Sequence, residues 1–336
     1  MDLEDFDYHL PPELIAQKGA EPRDASRLMV VHRQSGRLEH RIFRDLPQYL
    51  RPGDVLVLNE SKVIPARIFA KNPHGTPIEV LLVREKPDHP GYWEALLRPA
   101  RRVKLGQTLS FSSGLTATLE GLEPDGSRVL RFHGNLWEHL EQIGQTPLPP
   151  YIQAPVEPER YQTVYARTPG SVAAPTAGLH FTPRLLEQVR NMGVEIHCIT
   201  LHVGPGTFKP VRGPLEQHTL HQEPYEVPPE TAQAISQAKT EGRRVVAVGT
   251  TVVRTLETAW DGKELRAGRG ETQLFIRPGF RYQVVDALIT NFHLPRSTLL
   301  MLVSAFMGHA LMKQAYQVAV EEGYRFYSLG DAMLIL

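Results

Sequence analysis

A single cysteine, Cys198, leaves this 336-residue chain without a partner for an internal disulfide and without any CxxC metal or redox motif. It sits in the apolar run VEIHCITLHV, which marks it as a small core residue rather than a nucleophile. Net charge is missing too. The 37 basic residues balance 37 acidic ones, so overall charge gives no support for nucleic-acid binding, and any RNA contact must come from a local patch. No apolar run is long enough to cross a bilayer; the longest, TLLMLVSAFMGHALM, carries Gly308 and His309 and reads as a buried helix, so no membrane partner is expected. The start, MDLEDFDYHLPPELIAQ, is acidic and lacks the basic-then-apolar order of a secretory or transit signal, which makes the cytoplasm the expected location.

Several catalytic signatures are absent as well. GPGTFK at 204–209 opens like a dinucleotide fingerprint, but Lys209 stands where a third glycine belongs. There is no GxxxxGK[ST], HExxH or GxSxG, which excludes simple P-loop, zincin and serine-hydrolase readings. The best metal candidate is the string HTLHQE, where His218 and His221 can share one side of a helical turn with Glu223 nearby. Pro224 follows closely and no further ligand is spaced for it, so a polar substrate site is the better use of these groups and no metal is expected.

What is present is an order of elements. Apolar runs LMVVH and DVLVLN near the start are separated by turn signals. From Ala66 to His133 come six short strand-like runs, ARIFA, IEVLLV, YWEALLR, QTLSFSS, LTATLEGL and SRVLRFH, at nearly even spacing, the pattern of a small antiparallel barrel or sandwich. A helix, NLWEHLEQIG, and a proline cluster, Pro147-Leu148-Pro149-Pro150, follow. Thereafter helical periodicity (PRLLEQVRNMG, PETAQAISQAKTEG and a single segment over 298–322) alternates with continuous apolar strands (IHCITLHV, RRVVAVG, VVDALITNF, FYSLGDAMLIL). The expected fold class is α/β: a discontinuous, barrel-like α/β catalytic domain from 1–65 and 147–336, with an inserted small antiparallel β-barrel domain at 66–146.

Polar residues cluster inside apolar or glycine-rich strings: AAPTAGLHFT (173–182), TLHVGPGTFKPV (200–211), HTLHQE (218–223), VGTTVVRTLE (248–257) and LITNFHLPRSTLL (288–300). Since ligands bind at strand ends in α/β sheets, His202, Gly249 to Thr251 and Asn291 to His293 are expected to converge on one rim. Glycines 204 and 206 have the plainer reading of a turn with positive φ. Likewise Arg254 with Glu257 can be a simple i,i+3 ion pair, and Thr250 and Thr251 can cap the helix VVRTLE.

These strings, with FDYHLPPELIAQ, GDVLVLNESKVIPAR, LPPYI followed by YQTVYA, and YRFYSLGDAMLI, resemble the S-adenosylmethionine:tRNA ribosyltransferase-isomerase family of queuosine biosynthesis, in order and over nearly the whole chain. Val252 and Leu220 depart from the serine and methionine often found there. The resemblance implies an α/β barrel-like domain with a smaller β-barrel, and a transferase that uses no separate cofactor because S-adenosylmethionine is consumed. Its ribosyl part passes to the aminomethyl group of a 7-deazaguanine base at the wobble position of a tRNA with a queuosine-type anticodon. Epoxyqueuosine forms, and adenine and methionine leave.

Such a reaction needs a base for a ribose C5′ hydrogen acidified by the sulfonium, and a neutral histidine suits a position beside a cation. His202 and His180 are the leading candidates, then His221, with Glu223 if desolvation raises its pKa. Asn291 or His293 can serve the departing adenine. Arg254 and the Thr250-Thr251 helix start can take the methionine carboxylate. His197 and His309 read as structural. For tRNA, Arg98, Arg101, Arg102 and Lys104 in RPARRVK have the bland reading of a solvated edge, which the resemblance tips towards phosphate binding; Arg243 and Arg244 form a weaker second patch. A monomer is the expected state.

Overall fold

The computed structural model describes residues 1–208 and 210–336; Lys209 of the GPGTFK segment lies outside them. A nine-stranded mixed sheet forms the main part, in the order Gly268–Thr272, Glu223–Val227, Glu195–Leu201, Val55–Asn59, Val245–Val248, Ala287–Asn291, Ala332–Ile335, Arg27–Val31, Leu38–Ile42. The four central strands, from Glu195–Leu201 to Ala287–Asn291, run parallel. Val55–Asn59, Val245–Val248 and Ala287–Asn291 are buried on both faces, as their continuous apolar runs require, whereas Glu195–Leu201 is buried only over its last three residues.

Alternation divides the core. Val55, Val57, Val245 and Ala247 face helices Pro229–Thr240, Thr250–Ala259 and Thr298–Met307, whereas Leu56, Leu58, Val246 and Val248 face helix Pro183–Asn191. Thr182 starts that last helix by accepting from Leu185 N at 3.1 Å. The segment expected as one helix over 298–322 is two, Thr298–Met307 and His309–Glu321, because Gly308 takes a φ of +91° that interrupts the helical backbone.

After Arg27–Val31, Leu38–Ile42 and Val55–Asn59, and before the other six strands of the main sheet, the chain builds the inserted barrel. Strands Arg67–Lys71, Pro77–Glu85, Tyr92–Arg98, Arg128–His133, Thr116–Leu122 and Thr108–Phe111 pair in that order, and the last pairs back to the first, closing a six-stranded antiparallel ring. Helix Leu136–Ile143 packs on its core. The chain leaves beside where it entered: Gly144–Gln145 pairs antiparallel with Ile68 and Arg67. Arg84 of the barrel reaches across to Glu271 of the main sheet at 3.1 Å. Among the described residues no helix is long and apolar enough to cross a membrane.

Candidate active site

Parallel strands Val245–Val248 and Ala287–Asn291 deliver their C-terminal ends to one place, and the loops that follow wall a small cavity of about 90 Å³ lined by Tyr151, Thr207, Thr250, Thr251, Thr290 and His293, among others. Thr207 and Leu299 also line a cleft of about 940 Å³ between the main sheet and the barrel. The barrel wall of that cleft carries Arg84, Glu94, Leu96, Asp125 and Ser127; the opposite wall carries His218, His221, Glu223, Arg254 and Phe275.

Arg254 and Glu223 form a buried ion pair, Nη1 donating to Oε2 at 2.6 Å. The other oxygen, Oε1, accepts from Gly204 N at 3.2 Å and Thr207 Oγ1 at 3.4 Å. Glu223 thus anchors the 204–207 loop, with donors on both oxygens. Arg254 does not pair with Glu257; that carboxylate instead accepts from the backbone N–H groups of Gln283, Val284 and Val285. Arg254 Nε is buried and finds no acceptor among the described residues, leaving an unsatisfied donor on the cleft wall.

Neither threonine caps the helix that carries Arg254. The N-cap is Gly249, at φ +94°, a backbone geometry that strains any residue with a Cβ. Thr251 Oγ1 accepts instead from Asn59 Nδ2 at 3.1 Å, and Asn59 also exchanges bonds with the backbone of Leu201, pinning two strand ends to the first turn of the helix. Thr250 is nearly enclosed, lines the small cavity and makes no side-chain hydrogen bond among the described residues.

Asn291 and His180 are also committed. His180 Nε2 meets Asn291 Oδ1 at 2.7 Å and its Nδ1 meets Ser26 Oγ at 2.7 Å, while Asn291 Nδ2 donates to the carbonyls of Tyr327 and Ser328. Both ring nitrogens of His180 are thus hydrogen-bonded, burial holds its pKa below the usual histidine value, and the ring fixes Asn291, whose Nδ2 is committed to backbone carbonyls. His293 lines the small cavity; desolvation pushes it down to about 3, and its Nε2 lies 2.7 Å from Thr290 Oγ1. Tyr8 and Tyr316 hold its backbone carbonyl and N–H.

His202 departs from expectation. It lines neither cavity, although Val203 lines the small one; its Nδ1 is 2.8 Å from Ser61 Oγ and the ring lies against Gly170. His221 is the histidine base candidate that faces the large cleft. Residues 218–222 are not helical, so His218 and His221 are not a helical i,i+3 pair; His218 packs edge-on to Phe275 at 5.6 Å. Among the described residues no group of three potential metal ligands is assembled. Neither Gly204 nor Gly206 has a positive φ; Gly206 is needed because a Cβ there would lie 2.6 Å from His221 Cδ2.

The chain was compared with known proteins. The family model of the queuosine biosynthesis proteins matches residues 3–335. The chain belongs to this family. It is 63% identical, over 99% of both chains, to the S-adenosylmethionine:tRNA ribosyltransferase-isomerase of Thermus thermophilus, and 58% identical over the full length of both to that of Moorella thermoacetica. A solved S-adenosylmethionine tRNA ribosyltransferase from Thermotoga maritima, 45% identical, aligns over 99% of this chain and 100% of its own with a TM-score of 0.59.

In this member of the queuosine biosynthesis family, Arg98, Arg101, Arg102 and Lys104 are exposed beyond the cleft lining, at the far end of the Tyr92–Arg98 strand from Glu94. Arg243 and Arg244 are instead structural, holding Glu195 and Glu241, and Asp54, respectively. Cys198 is largely enclosed, and burial pushes its thiol up to about 12. Sequence reasoning missed Asn59, Thr207, Phe275 and the pair Asp125 and Ser127, the last two because PDGS at 124–127 reads only as a turn.

Proposed function

We propose that this chain moves the ribosyl part of S-adenosylmethionine onto the aminomethyl group of a 7-deazaguanine base at the tRNA wobble position and isomerises it to the epoxycyclopentanediol of epoxyqueuosine, releasing adenine and methionine. The observation that carries this reading is the large cleft between barrel and sheet, which shares Thr207 and Leu299 with a small cavity at the parallel strand ends, in a chain alike from end to end to enzymes of that name. A nucleoside sulfonium and a splayed-out RNA base both need a site of that size, walled by two domains.

In this reading the methionine end enters the small cavity. Its carboxylate meets the backbone N–H groups that open helix Thr250–Ala259 and the free Thr250 hydroxyl. The sulfonium and ribose then lie along the large cleft, where His221 takes the C5′ proton. Phe275 offers a stacking face to a base. S-Adenosylmethionine is consumed, so no separate cofactor takes part; the partner is a tRNA with a queuosine-type anticodon, and the enzyme works in the cytoplasm as a single copy.

The test is incubation of the purified protein with ribose-labelled S-adenosylmethionine and tRNA carrying the aminomethyl-deazaguanine base. Label entering RNA in step with adenine release is the expected result. Methyl transfer without adenine, or no reaction with intact substrates, would overturn the reading.

A further inference from the structure

One acidic group of the inserted barrel faces the other domain across the cleft. Asp125 sits at the tip of the hairpin joining strands Thr116–Leu122 and Arg128–His133, a turn closed by Glu123 N to Ser127 O at 2.9 Å and Gly126 N to Glu123 O at 3.0 Å. Its Oδ1 accepts from Ser127 N at 2.9 Å and Ser127 Oγ at 2.6 Å, which is all that an aspartate needs to do in such a turn. Oδ2 does something else: it faces Nδ1 of His221, on the other domain, at 3.6 Å across the cleft.

From the other side His221 rests on Gly206, whose missing Cβ leaves room for the Cδ2 edge of the ring. The imidazole, about half exposed, thus lies between a glycine and a carboxylate that is itself fixed by two donors. Nε2 makes no hydrogen bond among the described residues, and His221 lines the cleft. A carboxylate on Nδ1 selects the tautomer with the proton on that nitrogen and leaves the Nε2 lone pair for the substrate. The separation is longer than a hydrogen bond, as such contacts often are before substrate draws the parts together.

We infer that Asp125 is a positioning residue for the reaction: the barrel supplies the carboxylate that orients His221 as the base. This rests on the functional reading above. In the step it serves, the ribose C5′–H bond breaks and its electron pair stays on carbon beside the sulfonium. The proton forms a new bond to His221 Nε2, and Asp125 stabilises the resulting imidazolium without taking the proton. The barrel is then part of the catalytic apparatus as well as a wall.

The experiment is a double-mutant cycle on the full chain, read by ribosyl transfer and by tritium release from S-adenosylmethionine labelled at C5′. His221→Ala is expected to lower kcat about 100-fold or more. Asp125→Asn keeps the shape and the Oδ1 contacts, and is expected to lower kcat about tenfold or more with KM for S-adenosylmethionine within about twofold. Asp125→Glu should recover part of the loss, and Asp125→Asn should cost nothing further in the His221→Ala background. Full activity of Asp125→Asn in a protein of unchanged thermal stability, full activity of His221→Ala, or additive losses would overturn the inference, and with full activity of His221→Ala also the choice of His221 as base, while leaving ribosyl transfer as the overall reaction intact. A wild type that transfers no label would overturn both. Should Asp125→Asn unfold the turn, Ser127→Ala, which loosens the same carboxylate, is expected to reduce kcat in the same direction, and wild-type kcat there would count against it.

Discussion

Arg254 donates to Glu223 across 2.6 Å with both side chains less than a tenth exposed, and that one contact ties helix Thr250–Ala259 to the loop that joins the two cavities. Two charges out of water are tolerable only together. Glu223→Gln or Arg254→Met alone is expected to destabilise the fold by about 3–5 kcal/mol, whereas the double replacement should cost clearly less than the sum. Denaturant unfolding of the four proteins checks this; additive losses would mean that the pair is not energetically coupled.

Acid should destabilise the protein through its buried histidines. His293 is pushed down to about 3 in the folded chain, against about 6.5 when unfolded. Between those values the unfolded chain binds a proton that the folded chain does not, so stability present above pH ~6.5 is lost as pH falls towards ~3. His180 and His202 are lowered in the same direction. The unfolding free energy should decline from pH 7 to 4.5, and less steeply for His293→Gln; parallel declines would exclude His293 as a source.

His202→Ala is expected to keep turnover within about tenfold of wild type, since the ring bonds to Ser61 and lies against Gly170 rather than in either cavity. A loss comparable to that of His221→Ala in single-turnover transfer would restore His202 as the base.

Gly206→Ala places a methyl group 2.6 Å from the present position of His221 Cδ2, so the imidazole must move. A fall in kcat of about tenfold or more, with thermal unfolding unchanged, is the expected outcome. An unaffected rate would show that the base tolerates displacement.

The cations of the barrel make a separable prediction. Arg101→Ala with Arg102→Ala should weaken tRNA binding and flatten its dependence on salt by about one unit of slope per lost phosphate contact, with KM for S-adenosylmethionine unchanged. Equal affinity and slope would leave the patch as a solvated surface.

Most of the architecture was legible because periodicity is a local property. Six short alternating runs specify a barrel, and continuous runs such as VVAV and ALITN specify strands covered on both sides. Partner choice is not local. Nothing near His202 in the sequence says that its ring turns towards Ser61, 141 positions away, or that Arg254 prefers Glu223 to Glu257. Asp125 was invisible for the same reason: a turn aspartate looks alike whether or not a histidine of another domain stands opposite.

The adjacent entry and exit of the barrel also bear on how the chain folds. Its strand pairs lie within Arg67–Gln145, whereas Asn59 must wait for Leu201, 142 residues later, and Asp54 for Arg244, 190 later. Local pairings form sooner than distant ones. The barrel is thus expected to gain hydrogen-exchange protection first on refolding, and its paired ends to hold Val55–Asn59 in place as a template on which the later strands assemble.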